Sequence, residues 1–249
     1  MKLKRVLLID GDILLYKIAL NNEVETDWGD GLWTLHCDET LCKADVDAVI
    51  DDLGSNLQAD DYVIALTDSN NFRKDVLPSY KSNRKDKRKP LTLKALREYV
   101  IEKHNGVVWK NLEADDVLGI LATQPQKKEE RIICSLDKDL RQIPGKLCQD
   151  GRTIQKLSKR DCDHWHMIQT LTGDSVDGFS GCPTVGKVTA QKILSDKNMP
   201  LKKMWELVVK TYEKHGLFEH DAFQQARVAK ILRHGDYNLK TGEVTKWQI

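Results

Sequence analysis

The segment Val6-Leu-Leu-Ile-Asp-Gly-Asp12 starts with four aliphatic residues and runs directly into two aspartates. A short aliphatic run that stops at polar turn residues is typical of a buried β-strand. Two later segments repeat the pattern, because Tyr62–Thr67 runs into Asp68 and Arg131–Ser135 is followed closely by Asp137. We therefore predict three buried strands, each with an acid at its carboxyl end.

The segments between these strands have the composition of helices. The predicted helices are Ala44–Leu57, Leu93–Lys103 and Asp115–Ala122, and a possible fourth strand is Val107–Lys110. Such alternation predicts an α/β fold with a central parallel or mixed sheet flanked by helices, in which functional groups collect at the carboxyl ends of the strands. Beyond about residue 158 the pattern changes to helices and turns. We accordingly divide the chain into an α/β unit, residues 1–160, and a helical region, residues 161–249.

Acidic residues mark the ends of the predicted elements. These candidate metal ligands are Asp10, Asp68, Glu113, Asp115, Asp116, Asp137, Asp139, Asp174 and Asp177. If they converge, repulsion and desolvation would raise their pKa values unless cations neutralise them. Carboxylate oxygens favour Mg²⁺ or Mn²⁺, and two ions about 4 Å apart suit a phosphoryl reaction. A single aspartate after a strand is more often a turn or cap residue, so the prediction depends on their joint occurrence.

The net charge hides a local basic segment. The whole chain has 39 Lys and Arg against 38 Asp and Glu, a net charge of +1. Between Lys81 and Lys89, however, six residues are basic and only Asp86 is acidic. Such a run is often a solvated surface. Here it follows an acidic strand end and Tyr80, so it could guide a phosphate backbone while the tyrosine ring stacks on a base.

A second candidate for phosphate contact is the turn Gly181-Cys-Pro-Thr-Val-Gly-Lys187. Gly181 and Gly186 permit a tight turn whose backbone N–H groups face a phosphate, and the following helix N-terminus and Lys187 add positive potential. Such a module holds a duplex by its backbone and reads no sequence. An ordinary turn between two helices is the alternative interpretation.

Composition and cysteine content favour a cytoplasmic globular protein. Hydrophobic residues make up 40% of the chain and charged residues 31%, which excludes disorder as the dominant state. The first apolar run is too short for an export signal, which needs about 7 to 15 residues. No stretch approaches the roughly 20 apolar residues of a membrane span. The six cysteines form no CxxC pair, so we expect reduced thiols.

Five motifs in this order resemble those of the 5′-3′ exonuclease and flap endonuclease family, which includes free-standing phage enzymes and the nuclease domain of bacterial DNA polymerase I. The motifs are Leu8-Ile-Asp-Gly-Asp12, Tyr80-Lys-Ser-Asn-Arg84, Glu113-Ala-Asp-Asp116, Ser135-Leu-Asp-Lys-Asp139 and Thr172-Gly-Asp-Ser-Val-Asp177, followed by the Gly181–Ala190 hairpin. The resemblance implies a PIN-like nuclease domain within residues 1–160. It also implies a helix-three-turn-helix, a DNA-binding motif of the helix-hairpin-helix type, at about residues 172–194.

The resemblance further implies magnesium-dependent hydrolysis of DNA near 5′ ends, at a duplex end, nick or flap, with two metal ions. Residues carried over as DNA-binding are Tyr80, Lys81, Arg84, Lys85, Gly181, Gly186 and Lys187. Of these, Lys81 and Arg84 would contact the scissile phosphate as catalytic residues, and hairpin carbonyls would hold a potassium ion. Thr184 stands where the family usually has a glycine. The preference for exonuclease or flap cleavage, the tolerance of RNA in hybrids and the oligomeric state stay open.

Two other functions fit parts of the sequence. Asp10 and Asp12 also form the Asp-x-Asp signature of haloacid dehalogenase-type phosphatases, in which they would be nucleophile and general acid. That interpretation leaves the basic segment and the acids around Asp115 without a role. The second alternative is an inactive DNA-binding scaffold, and none of the expected acids is missing.

Overall fold

The computed structural model describes residues 3–249, so Met1 and Lys2, with which the predicted α/β unit begins, lie outside it. The strands are β1 (Lys4–Asp10), β2 (Glu23–Asp27), β3 (Trp33–Cys37), β4 (Asp61–Leu66), β5 (Val107–Val108), β6 (Glu129–Cys134), β7 (Gly145–Cys148), β8 (Ile154–Leu157), β9 (Tyr237–Asn238) and β10 (Glu243–Val244). Six of them form the central sheet in the order β5-β4-β1-β6-β7-β8. All neighbours in this sheet are parallel except β7 and β8. The predicted mixed sheet is confirmed.

Helices cover both faces of the sheet. They are α1 (Gly11–Asn21), α2 (Glu39–Leu57), α3 (Arg73–Val76), α4 (Leu93–Lys103), α5 (Ala114–Thr123), α6 (Lys159–Thr172), α7 (Lys187–Ile193), α8 (Leu201–Lys214) and α9 (Glu219–Ala229). Side chains alternate between faces along a strand. In β1, Leu7 and Ile9 therefore pack under α1, α2 and α4, while Val6 and Leu8 pack under α5. A strand buried on both faces reads as the continuous aliphatic run seen in the sequence.

Gly11 determines how closely α1 approaches the sheet. A Cβ atom at this position would lie 2.7 Å from side-chain atoms of Ile64 and Leu66 and 2.8 Å from the carbonyl oxygen of Ala65. Only glycine leaves space for the helix to begin against β4. As a result Asp10 both ends β1 and caps α1.

The predicted strands and helices are confirmed to within a few residues, although the fourth strand is only Val107–Val108. The sequence did not predict helix α1, the separate β2–β3 and β9–β10 hairpins, or the sheet extension formed by β7 and β8. The sheet ends at Leu157 and the helices begin at Lys159, next to the predicted boundary. Within residues 3–249, the helices include none with the length and apolar character needed to cross a membrane.

The helical region has its own core but returns to the α/β unit. Tyr212 is fully buried among α6, α8 and α9, and its hydroxyl donates a 2.7 Å hydrogen bond to the carbonyl of Thr170. After α9 the chain passes beneath α5, where Ile231 and Leu232 pack into the core between α5 and the sheet. The domain boundary stays a prediction, because this shared core connects the two parts.

Candidate active site

The carboxyl edge of the sheet brings predicted acids from several strands to one place. Asp10 ends β1, Asp137 follows β6, and Glu113 is the N-cap residue of α5, a short loop after β5. Because these strands are parallel, their carboxyl ends share an edge. β4 and β5 lie on one side of β1 and β6 lies on the other. Such a switch point is where open α/β sheets bind ligands.

Asp10 is buried at the centre of this edge. Its Oδ2 accepts a 2.6 Å hydrogen bond from the Ser135 hydroxyl, and its Oδ1 accepts one of 3.1 Å from the backbone N–H of Ile13. Burial raises the pKa of Asp10 to about 6, although these two hydrogen bonds lower it. A desolvated carboxylate of this kind gains from a nearby cation.

Asp115 and Asp116 are adjacent in the sequence but have different environments. Asp115 is half-buried, and among residues 3–249 its carboxylate has no hydrogen-bond or ion-pair partner. Burial and the charges of Asp10 and Asp137 raise its pKa well above the ordinary value. Asp115 therefore shares an electrostatic cluster with Asp10 and Asp137, which we call the first acidic group.

Asp116 instead points into the protein and is fully buried. Its two carboxylate oxygens accept hydrogen bonds of 2.6 and 2.8 Å from Arg73. The backbone N–H of Leu232 also donates to Asp116 at 3.1 Å. With its oxygens occupied by protein donors, Asp116 is not brought into the cluster that contains Asp115.

A second acidic group consists of Asp137, Asp139, Asp174 and Asp177. Burial raises the pKa of Asp139 to about 7, and the charges of Asp137, Asp174 and Asp177 add to this effect. The loop after α6 supplies Asp174, whose Oδ1 accepts hydrogen bonds from the backbone N–H groups of Val176 and Asp177. The helical region therefore contributes two acids to the edge of the sheet, and Asp137 belongs to both groups.

Two basic side chains, those of Lys81 and Arg84, contact acids at this edge. Lys81 Nζ lies 2.5 Å from Glu113 Oε1 and 3.6 Å from Asp177 Oδ2. Arg84 forms an ion pair with Asp177. Although burial raises the pKa of Glu113, the positive charges of Lys81 and Arg73 lower it overall. Thus Lys81 and Arg84 lie beside Glu113 and Asp177, and their contact with a phosphate stays a prediction.

The stacking role predicted for Tyr80 is wrong in this structure, because the ring is only 3% exposed. It packs with Phe179, Val228 and Ala229. Its hydroxyl lies 3.0 Å from Glu113 Oε2 and 3.1 Å from Asp177 Oδ2, so its single proton is shared between the two carboxylates. Tyr80 therefore positions two acids and has no free face for a base.

Asp68 lies at the same edge but has a local structural role here. Its Oδ2 accepts a 2.8 Å hydrogen bond from the backbone N–H of Asn111, and its Oδ1 accepts one of 2.7 Å from Ser69. Burial raises the pKa of Asp68, but these backbone hydrogen bonds lower it overall. Asp68 thus ties the end of β4 to the loop before α5.

The two predicted phosphate-contacting segments are only partly accessible. Lys85, Gly186 and Lys187 are exposed. Gly181 is buried, and its backbone N–H donates a 2.9 Å hydrogen bond to Gln225 Oε1, so it is not free to face a phosphate. Thr184 has a left-handed backbone with φ of 61°, the conformation that glycine adopts without strain.

The donor set fits hard divalent cations, but the acids are not arranged as a ready-made cage. Within residues 3–249, no three His, Cys, Asp or Glu side chains are grouped closely enough to hold a metal ion. Burial nevertheless raises the pKa values of Asp115 and Asp139, and neighbouring carboxylates add to the effect, so both acids would gain from a nearby cation. Sequence reasoning missed Arg73, because no motif in the neighbouring sequence indicates a role for it. In the structure Arg73 is buried and pairs with Asp116.

An α/β sheet with an acidic carboxyl edge faced by basic residues defines a class of phosphoryl-transfer sites. Residues 5–163 match the family model described as the 5′-3′ exonuclease, N-terminal resolvase-like domain, and the chain belongs to this family of nucleases. It is 29% identical to the exodeoxyribonuclease of Enterobacteria phage T3, over 98% of this chain and 93% of that protein. It is 28% identical to the exonuclease of Escherichia phage T7, over 98% of this chain and 94% of that protein.

The fold is also that of a solved phage nuclease. The crystal structure of the bacteriophage T5 flap endonuclease in a pseudo-enzyme-product complex with DNA and metal ions covers 92% of this chain and 89% of its own. The TM-score is 0.65 and the sequence identity is 15%. The family assignment disfavours the phosphatase alternative. So does the structure, because Asp12 is occupied by a 2.6 Å contact with Arg97 and by the backbone N–H of Thr67.

Proposed function

We propose that the chain is a magnesium-dependent 5′-to-3′ exodeoxyribonuclease and structure-specific flap endonuclease, and that Mn²⁺ can replace Mg²⁺. The observation that carries this proposal is the convergence of unneutralised acids, Asp115 and Asp139, with Lys81 and Arg84 at one sheet edge. Acids of this kind hold hard cations, and the basic pair suits a phosphate.

We assign one divalent ion to each acidic group. Asp10, Asp115 and Asp137 would hold the first, and Asp139, Asp174 and Asp177 would hold the second. Two such ions supply an activated water and stabilise the leaving oxygen of a phosphodiester. In this proposal Glu113, Asp116 and Asp68 act as positioning residues through their contacts with Lys81, Arg73 and the backbone N–H of Asn111.

Lys81 and Arg84 would neutralise the phosphate that reacts. Lys81 is 23% exposed and already lies between two acids, Glu113 and Asp177. When a phosphodiester lies at the edge, its oxygens can replace Asp177 as partners of Lys81 and Arg84. Because negative charge grows on the phosphate oxygens during hydrolysis, these contacts favour the transition state over the substrate.

Exposed basic and backbone groups would hold the rest of the DNA. Lys85 and Lys187 offer phosphate contacts, and the exposed Gly186 leaves the backbone N–H groups at the start of α7 accessible. Hairpin carbonyls near Gly186 would hold a potassium ion. We propose DNA with a 5′ end, nick or flap as the partner, RNA strands of hybrids as further substrates, and a role in replication, primer removal or DNA degradation in the cytoplasm of the host cell.

The test uses 5′-labelled blunt, nicked and flapped duplexes, incubated with Mg²⁺ or with a chelator and resolved on a denaturing gel. We expect cleavage near the 5′ end with Mg²⁺ only, and its loss in Asp115→Asn. Asp52→Asn, an exposed change on α2, is the matched control. Binding of all three duplexes without cleavage would instead support the scaffold alternative. Phosphate release from p-nitrophenyl phosphate would support the phosphatase.

A further inference from the structure

A cavity of about 440 Å³ opens beside Asp10, on the face of the sheet covered by α1 and α2. Its walls include the aliphatic side chains of Ile13, Leu14, Val49 and Leu136. Neither the acidic groups nor the basic residues described above need this space. Its volume lies within the roughly 300–1,000 Å³ of small-molecule sites.

The rim of the cavity offers polar groups that are free to bind. Lys17 and Asn21 line it, and within residues 3–249 their side chains have neither a hydrogen bond nor an ion pair. Acids also line the cavity, since Asp10, Asp45 and Asp150 reach it. Like charges disfavour a phosphate inside. The chemistry therefore fits a neutral, flat group with apolar faces and a polar edge, and a nucleobase has these properties.

We propose that this cavity receives the nucleobase of a nucleotide that flanks the scissile phosphate. The inference rests on the proposed function, in which Asp10 helps to hold the ion that acts on this phosphate, and Asp10 also lines the cavity. Moving a base out of a duplex costs a few kcal/mol, and the cost falls where pairing is already weakened. A base at a 5′ end has fewer stacking neighbours, so burial against Leu14 and Val49 can offset its extrusion.

Abasic substrates test the proposal directly. Duplexes carry an abasic residue at the first or at the second nucleotide from the 5′ end, and both are compared with the intact duplex. For one of the two positions, we expect the wild-type protein to lose about tenfold in kcat/KM, which corresponds to 1.4 kcal/mol. Equal cleavage of all three substrates would overturn the cavity proposal but leave the nuclease proposal intact. No cleavage of any of them would reject the nuclease proposal itself.

Two variants of α2 connect this effect to the cavity. Ala48 is exposed and lines the cavity, so Ala48→Trp should fill it without disturbing the core. Ala44 is also exposed but does not line it, so Ala44→Trp is the matched control. We expect Ala48→Trp to cleave intact and abasic duplexes at equal rates, while Ala44→Trp discriminates as the wild type does. Discrimination retained by Ala48→Trp would refute the assignment.

A binding measurement without catalysis separates a base within DNA from a free nucleotide. With 2-aminopurine at the sensitive position and a chelator present, we expect fluorescence to rise when the wild-type protein binds, because the base leaves its stack. Ala48→Trp should give no rise. If thymidine 5′-monophosphate inhibits the wild type but DNA gives no rise, the cavity takes a free nucleotide and the proposal is wrong.

Discussion

Replacing Asp115 and Asp116 separately should divide catalysis from stability. Asp116 is fully buried and forms a two-point ion pair with Arg73, at 2.6 and 2.8 Å. Asp116→Asn breaks this buried pair and leaves the Arg73 guanidinium with only Glu113 Oε2, 3.4 Å away, as an acidic partner. Breaking a buried ion pair in this way costs about 3–5 kcal/mol. Each kcal/mol lowers Tm by about 2–4 °C in a chain of this size, so we expect a fall of roughly 6–20 °C.

Asp115→Asn should behave in the opposite way. Because burial and the charges of Asp10 and Asp137 raise the pKa of Asp115, its ionised form is disfavoured in the folded protein. The neutral amide removes this repulsion, so we expect an unchanged or higher Tm together with the loss of cleavage.

Thermal unfolding followed by circular dichroism, in a chelator, measures the stability of both variants, and the flap-cleavage gel measures their activity. The reasoning is refuted if Asp116→Asn unfolds at the wild-type temperature, or if Asp115→Asn loses as much stability as Asp116→Asn. Arg73→Met in the Asp116→Asn background should restore much of the lost Tm, because it removes the buried charge that has lost its two-point partner.

Three further predictions concern pH, salt and the buried tyrosine. Burial and neighbouring acids raise the pKa of Asp139 from 3.8 to about 7, so the stability it contributes is present below pH 4 and lost as pH rises through 7. The free energy of unfolding, measured by denaturation in a chelator, should therefore decline between pH 4 and pH 8, and Asp139→Asn should reduce this decline. An identical pH profile in that variant would show that Asp139 is not its cause. Lys85 is exposed in the basic segment, so Lys85→Ala should weaken DNA binding and reduce the slope of log K against log salt by about 1. An unchanged salt slope in this variant would show that Lys85 does not contact a DNA phosphate. Tyr80→Ala should cost about 3–5 kcal/mol because it empties a packed position, whereas Tyr80→Phe should keep the packing and lower turnover through the lost contacts with Glu113 and Asp177. If Tyr80→Ala unfolds in urea at the same midpoint concentration as the wild type, the Tyr80 ring does not contribute packing energy.

The sequence was informative where the cause is local. A run of aliphatic residues that ends in Asp10 identifies a buried strand and its terminal acid, because side-chain alternation and turn chemistry act over a few residues. The same logic located the ends of β4 and β6 and the start of α5. It gave no sign that α1 would begin at Gly11, since that helix depends on the close approach of Gly11 to Ile64 and Leu66.

Partners distant in the sequence decided the roles of individual residues. Successive helical residues point about 100° apart, so Asp115 and Asp116 leave α5 in different directions. Arg73 lies 43 positions from Asp116 in the sequence and forms an ion pair with it. Gln225 takes the backbone N–H of Gly181 in the same manner, across 44 positions.

By itself, the sequence determined the α/β fold and the motifs of the nuclease family, because each depends on short-range pattern, and it supplied the candidate acids for the sheet edge. Only the tertiary structure decided which acids stay unneutralised, that Tyr80 is buried, and that a cavity adjoins Asp10. The physical reason is that desolvation and charge pairing depend on which side chains meet in space. A cavity likewise exists only between surfaces, here those of α1, α2 and the strand ends, that the fold brings together.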